Sequence, residues 1–227
     1  MIKAIVTDIE GTTSSLSFVK DILFPYARKH MGEYVRCHAE EDRVAALIND
    51  VRLEAGESLS LDDVVLQLEQ WIDEDKKVTP LKALQGLLWE TGYQQGDFKG
   101  HIYDDAKLNL EKWQQQGLRL YVYSSGSVYA QKLLFGFTEY GDLNVLFSGY
   151  FDTKTGAKTE AGSYRKIADE INLSANEVLF LSDIEAELDA AKEAGMNTCW
   201  LVRDGSIDVN AAHLQVKDFN EVTSRLF

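Results

Sequence analysis

The chain is short of both proline and cysteine, with two of each in 227 residues. So few prolines, with no low-complexity stretch, leave no proline-rich linker to divide it. Cys37 and Cys199 stand far apart in the sequence and fit no metal-ligand spacing, which excludes a disulfide scaffold or a zinc ribbon. A reducing compartment, the cytoplasm, is the expectation. The four histidines, His30, His38, His101 and His213, form no ligand pattern, and the Cys37-His38 neighbours are not a zinc signature. No apolar run approaches membrane length, and no leading stretch reads as a signal peptide. Basic residues are outnumbered 37 to 23, a net charge of −14, which argues against nucleic acid and anionic membranes as partners. No internal repeat is visible. A hydrophobic share of 45% is enough for one sizeable core, or for a domain carrying an insertion.

What is present is unevenly spread. Ile2-Lys3-Ala4-Ile5-Val6-Thr7 is β-branched and nearly uncharged and reads as a short buried parallel strand. Further strand patterns begin only near Leu118: residues 118–123, 178–182 and 198–202, with Val145-Leu146-Phe147 as a shorter one. Between them apolar residues recur at helical spacing. Phe18, Val19, Ile22, Leu23, Tyr26 and Ala27 form one stripe, Val44, Leu47, Ile48 and Val51 a second. Leu61, Val64, Val65, Leu68 and Ile72 form a third, opened by Ser60, and Pro80 opens a fourth over 81–91. Gly92, Gly96 and Gly100 read as the return crossing. Helices are predicted over 104–116, from Val128, near 161–171 and near 185–194, and Trp71, Trp89, Trp113 and Trp200 are assigned to core. The pattern predicts an α/β core, doubly wound on a parallel sheet, from residues 1–14 and 101–227, interrupted by an all-helical block over 15–100.

Four polar groups fall at strand ends or in the loops beside them. Asp8 and Glu10 follow the first strand, where ligands bind in open α/β sheets, and Gly11 permits a sharp turn. Alone, such a pair could be a strand end blunted by solvated charge. Ser124-Ser125-Gly126-Ser127 joins a strand to a helix, a place that suits phosphate and equally suits a helix cap. Lys158 lies in the loop Thr155-Gly156-Ala157-Lys158-Thr159, where a surface lysine is the ordinary reading. Asp183 ends Val178-Leu179-Phe180-Leu181-Ser182 and precedes a helix with Glu185, Glu187 and Asp189.

Together, and in this order, an acid able to act as nucleophile, a phosphate-binding serine, a lysine and a metal-capable acid resemble the four motifs of the haloacid dehalogenase superfamily. The stretches DIEGTTSSLSFVKDILFPYARKHM, LQGLLWETGYQQGDFKGHIYDD, YVYSSGSVYAQKLLFG, YFDTKTGAKTEAGSY and FLSDIEAELDAAKEAGM further resemble the enolase-phosphatase (acireductone synthase) family of methionine salvage. The generic superfamily phosphatase has Asp where this chain has Glu10, and the narrower family has Glu. The resemblance implies a Rossmann-like core with the helical cap inserted between the first and second motifs, serving to exclude water and shape the substrate pocket.

It also implies a chemistry: Asp8 as nucleophile, Glu10 as acid and base, Ser124, Ser125 and Lys158 binding phosphate, and Mg²⁺ held by Asp8, Asp183 and the backbone carbonyl of Glu10. The implied substrate is a small phosphorylated diketone, 2,3-diketo-5-methylthiopentyl 1-phosphate, which is enolised and then dephosphorylated. Two carboxylates and a phosphate dianion in one pocket would repel by roughly 4 kcal/mol per close pair, so a divalent cation is expected. Glu187, four residues after Asp183, reads either as a helper to the metal site or as a solvated helix charge. Another small phosphate ester as substrate fits the four motifs equally well. A metal-free dehalogenase fits Glu10 and Asp183 poorly, and a receiver domain lacks an inserted helical block. Nothing suggests an obligate dimer, and a monomer is the expectation.

Overall fold

The computed structural model describes residues 1–56 and 58–226. In chain order the elements are β1 (Ala4–Thr7), a π-helical turn (Phe18–Leu23), α1 (Phe24–His38), α2 (Asp42–Ala55), α3 (Leu61–Asp73), α4 (Thr79–Gln95), α5 (Asp104–Gln115), β2 (Arg119–Tyr123), α6 (Val128–Gly136), β3 (Gly149–Phe151), α7 (Ala161–Glu170), β4 (Val178–Ser182), α8 (Glu185–Glu193), β5 (Asn197–Leu201), β6 (Leu214–Val216) and α9 (Phe219–Leu226). The chain clusters into two compact units: Met1–Leu16 with everything from Gly100 onward, and Ser17–Lys99.

The first unit is a parallel sheet ordered β3-β2-β1-β4-β5-β6, six strands among the described residues. The two central strands β1 and β4 are short because each is one apolar run ended by a polar turn. β1 has β2 on one side and β4 on the other, with Thr7 level with both Val122 and Leu181. The strand order therefore reverses at β1, the place where α/β sheets leave a crevice at their carboxyl edge.

Side chains alternate between faces along a strand. Ala4, Val6, Tyr121, Tyr123, Val178 and Phe180 share one face and form a buried cluster with Tyr164 and Ile167 of α7 and Leu188, Ala190 and Ala191 of α8. Burying a Phe or Leu side chain here is worth roughly 1.5–3 kcal/mol. On the other side α5 packs along β2 and against α9, where Trp113 stacks on Phe219 at 5.3 Å between ring centroids. Asp8 and Ser182 continue the alternation of the first face, so their side chains belong with α7 and α8.

The second unit is helical. Ala27, Met31 and Val35 of α1, Val44, Ile48 and Val51 of α2, Val64, Val65, Leu68 and Trp71 of α3, and Leu81, Leu84 and Leu88 of α4 are all buried, whereas Ile22 of the first stripe is exposed, because it lies in the π-helical turn rather than on α1. Ser60 caps α3: its hydroxyl accepts from the Asp63 N–H while the Asp63 carboxylate accepts from the Ser60 N–H. Pro80 sits in the first turn of α4.

Two expectations are corrected. Val145-Leu146-Phe147 is not a strand: Asn144–Leu146 is a single 3-10 turn, and the edge strand comes later, at Gly149–Phe151. The Asp142 carboxylate accepts from the Asn144 N–H at 2.8 Å and turns the chain, leaving Val145 exposed. Gly92 does not begin the return crossing but lies inside α4, which runs to Gln95. A Cβ on Gly92 would stand 2.6 Å from the Phe98 ring, so the glycine serves close packing rather than a turn. β6 has three residues, too few to show a period, and α9 was not anticipated.

Candidate active site

The site is built at the carboxyl edge of β1, β2 and β4. The ladder extends one residue past β1, because the Asp8 N–H donates to the Leu181 carbonyl at 2.9 Å. The chain then knots: the N–H groups of Thr12, Thr13 and Ser14 all donate to the Ile9 carbonyl, and the Thr13 hydroxyl donates to the Asp8 carbonyl at 3.1 Å. Gly11 takes φ +70° at the crown of this loop.

Alternation turns the Asp8 side chain toward α7 and α8, and there it meets Lys158. The Lys158 Nζ lies 2.7 Å from Asp8 Oδ1 and 2.6 Å from Glu187 Oε2. All three are nearly sealed from solvent, with 6%, 7% and 9% of Asp8, Lys158 and Glu187 exposed. The Ser182 hydroxyl donates to the same Glu187 oxygen at 2.9 Å. Lys158 is held from below by aromatics: its carbonyl accepts from the Tyr164 hydroxyl at 2.7 Å, and its ammonium lies 5.8 Å from the centre of the Tyr123 ring. The Tyr123 hydroxyl donates to the Gly156 carbonyl in the same loop.

Asp183 stands on the other side of the β1 loop. A Cβ placed on Gly11 would lie 2.2 Å from Asp183 Oδ2, so this carboxylate presses against bare loop backbone. The Trp200 indole N–H fixes the Asp183 carbonyl at 2.9 Å. Burial, and next the charge of Asp8, push the Asp183 carboxyl up to about 7. Burial and Asp8 also raise Glu187, while Lys158 and Ser182 pull it back. Burial works against the Lys158 charge, but the Asp8 and Glu187 carboxylates outweigh it and hold its pKa above the ordinary lysine value.

Ser124 follows β2 and is buried, while Ser125 is exposed. The Ser124 oxygen accepts from the Gly126 N–H at 3.2 Å, which leaves its own O–H to donate. The helix end behind it is partly committed. Ser127 caps the Ala130 N–H, and the buried Asp152 carboxylate accepts from the Val128 N–H at 3.2 Å. The Val128 and Ala130 N–H groups of this helix end are thus already bonded, while the Ser124 O–H is left to donate.

The sequence-chosen residues Asp8, Lys158 and Asp183 thus come together with Glu187. Ser124 follows the neighbouring strand, and Glu10 is exposed on the loop crown. Glu187 is not the solvated helix charge its spacing allowed: it is buried and paired with the lysine. Tyr123, Tyr164, Ser182, Asp152 and Trp200 were not singled out as site residues. Tyr123 and Ser182 were accessible in principle, since they share the Asp8 face by strict alternation. No group of three or more His, Cys, Asp or Glu side chains poised for a metal occurs among the described residues. The donors on offer are two carboxylates and loop backbone.

A parallel sheet with a nucleophile-capable acid, a serine, a lysine and a second acid at its switch point defines the class. The chain matches the haloacid dehalogenase-like hydrolases over residues 2–195. A protein of Methylococcus capsulatus named enolase-phosphatase E1 is 59% identical to it, covering 100% of both chains. One of the same name from Pseudomonas syringae is 56% identical over 100% of this chain and 99% of its own. The crystal structure of the UTR4 protein of Saccharomyces cerevisiae is similar at a TM-score of 0.83 and 33% identity, covering 96% of this chain and 99% of that one. The chain belongs to the enolase-phosphatase family of haloacid dehalogenase-like hydrolases, and it is an enzyme of the phosphatase type. No helix among the described residues is long and apolar enough to cross a membrane.

Proposed function

We propose that this enzyme is a magnesium-dependent enolase-phosphatase that converts 2,3-diketo-5-methylthiopentyl 1-phosphate into the acireductone 1,2-dihydroxy-3-keto-5-methylthiopentene in methionine salvage. We assign it to the cytoplasm, as a monomer whose partner is this small phosphorylated diketone. The supporting observation is the Lys158 ammonium clasped between Asp8 and Glu187, with Asp183 beside them.

With Lys158 on Oδ1, the other Asp8 oxygen attacks phosphorus in line. The bond from phosphorus to the ester oxygen breaks, the electron pair leaves with that oxygen, and an aspartyl-phosphate forms. Glu10 removes a proton from carbon while the carbonyl oxygen takes one from solvent to complete the enol; Glu10 then gives its proton to the leaving oxygen and finally deprotonates the water that frees the phosphate. The Ser124 and Ser125 hydroxyls and Lys158 hold the phosphoryl oxygens.

The residues present fit a magnesium ion. Asp8 and Glu187 flank one ammonium and Asp183 adds a third carboxylate nearby, an excess of two negative charges before any dianion arrives, and burial, with the Asp8 charge next, drives Asp183 toward protonation. Hard oxygen donors from Asp8, Asp183 and the Glu10 carbonyl would suffice, because magnesium keeps several waters. When bound it supplies charge neutralisation and polarisation of carbonyl and phosphoryl oxygen.

Three tests follow from this assignment. Ultraviolet absorbance followed beside released phosphate should show the enol forming before phosphate appears. Asp8→Asn should still form the enol and release no phosphate, whereas Glu10→Gln should fail at the enol. If both variants enolise at the wild-type rate, Glu10 is not the base. Magnesium should raise the Tm of chelator-treated protein, and more at pH 8 than at pH 6, because Asp183 keeps its proton below about 7 and proton and metal compete for it. An equal rise at both pH values would remove Asp183 from the ligands.

A further inference from the structure

We propose that Arg203 is a positioning residue of the reaction, holding the Glu10 limb of the β1 loop in register through the Thr12 carbonyl. The proposal rests on the role given to Glu10 above. Arg203 follows β5, far in sequence from β1, yet its Nε and Nη2 both donate to the Thr12 carbonyl, at 3.0 and 2.6 Å. Its Nη1 donates to the Asp105 carboxylate at 2.7 Å, and the same Asp105 oxygen accepts from the Phe219 N–H. The guanidinium lies 4.1 Å from the centre of the Tyr103 ring and 5.2 Å from that of Phe219, with 10% of its side chain exposed. The Tyr103 N–H in turn donates to the Thr13 carbonyl at 3.0 Å.

The loop needs this restraint. Thr12 is two residues from Glu10, and the residue between them is a glycine, which by itself confines the backbone least of all. The inner bonds of the knot tie the Thr12, Thr13 and Ser14 N–H groups to the Ile9 carbonyl, and Glu10 bridges to Ser14. The Thr12 carbonyl, next to Gly11 on the Glu10 limb, is held by the fork of Arg203. Lysine could not replace it: one ammonium cannot donate twice to a carbonyl and also to a carboxylate in that plane. Arg203 touches none of the reacting groups, so its effect must travel through the loop.

The experiment compares Arg203→Lys and Arg203→Ala with the wild type. Amide exchange of the peptide spanning residues 8–14 is measured without substrate, and enol formation and phosphate release are measured separately with it. Exchange in that peptide should speed up by about tenfold in Arg203→Lys, with the β2 and β4 peptides unchanged. The kcat for enol formation should fall by about 10–100-fold with KM within about threefold, since a small misplacement of a proton-transfer group can cost this much. Added guanidinium at non-denaturing concentration should restore part of the kcat of Arg203→Ala. Wild-type kcat in Arg203→Lys overturns the proposal. So does exchange that rises evenly across the sheet with no guanidinium rescue, the mark of a purely structural arginine. A wild-type protein that leaves the diketo phosphate untouched sinks the substrate assignment alone, because the exchange contrast is read without substrate and still decides on Arg203.

Discussion

Lys158→Met is expected to cut phosphate release by about 10²–10³-fold and to destabilise the fold in the same stroke. In the mechanism proposed above, the catalytic loss follows from removing a preorganised cation that binds one Asp8 oxygen and would hold the phosphoryl oxygens. The stability loss follows from burial. Asp8 and Glu187 lose the partner at 2.7 and 2.6 Å and are left facing each other and Asp183. Breaking one side of a buried pair costs roughly 3–5 kcal/mol, an upper range here because the orphaned acids can take up protons instead. For a chain of this length that is a fall in Tm of roughly 10 °C. The two effects separate in the double variant Lys158→Met with Glu187→Gln. It removes charge of both signs and keeps an acceptor for Ser182, so it should regain most of the lost stability and none of the activity. Denaturant unfolding and phosphate release measured on the same samples decide this. A double variant no more stable than the single one would show that Glu187 is not the lysine's counter-ion.

How much of this was legible in the sequence depends on the kind of order each part carries. β4 was readable residue for residue, Val178 to Ser182, because a buried parallel strand is an uninterrupted apolar run with a polar stop. Three helical segments of the second unit were readable from apolar stripes and α4 from the proline in its first turn. Asp8, Lys158 and Asp183 were readable only as a set, since each has an ordinary surface explanation alone. What escaped was order that depends on a third body. Glu187 looks like any helix acid until the alternation of β1 and the loop carrying Lys158 bring an ammonium to it. Arg203 sits in Val202-Arg203-Asp204, which has no period at all, and its meaning comes from Thr12 and Asp105, 191 and 98 residues away. The 3-10 turn at Asn144–Leu146 was misread for the complementary reason: Val145-Leu146-Phe147 has strand composition, and a local Asx contact from Asp142 overrode it.

The second large effect belongs to a residue with no side chain. Gly11→Ala should lower activity by about 10²-fold or more while costing only a few degrees of Tm. Two separate penalties act. Alanine at φ +70° pays the left-handed backbone cost of roughly 1–2 kcal/mol, worth a few degrees. Its Cβ would also stand 2.2 Å from Asp183 Oδ2 and 2.5 Å from Asp183 Cγ, so the carboxylate must swing away or the loop must lift. Either movement separates Asp183 from Asp8 and Glu10, and displacement of a positioned group by about 1 Å can cost 10²-fold in rate. Gly117→Ala carries the first penalty without the second. Gly117 has φ +88° just after α5, and nothing lies within 4 Å of its Cβ position. It should show the same small fall in Tm with kcat unchanged. Magnesium titration followed by Tm adds an independent readout: the cation-dependent rise should shrink in Gly11→Ala and persist in Gly117→Ala. If the two alanine variants lose activity equally, backbone strain is the whole effect and the Asp183 contact is incidental. If Gly11→Ala keeps wild-type kcat, the close approach of Asp183 to the β1 loop plays no part in catalysis, and the grouping of acids around Lys158 must work without it.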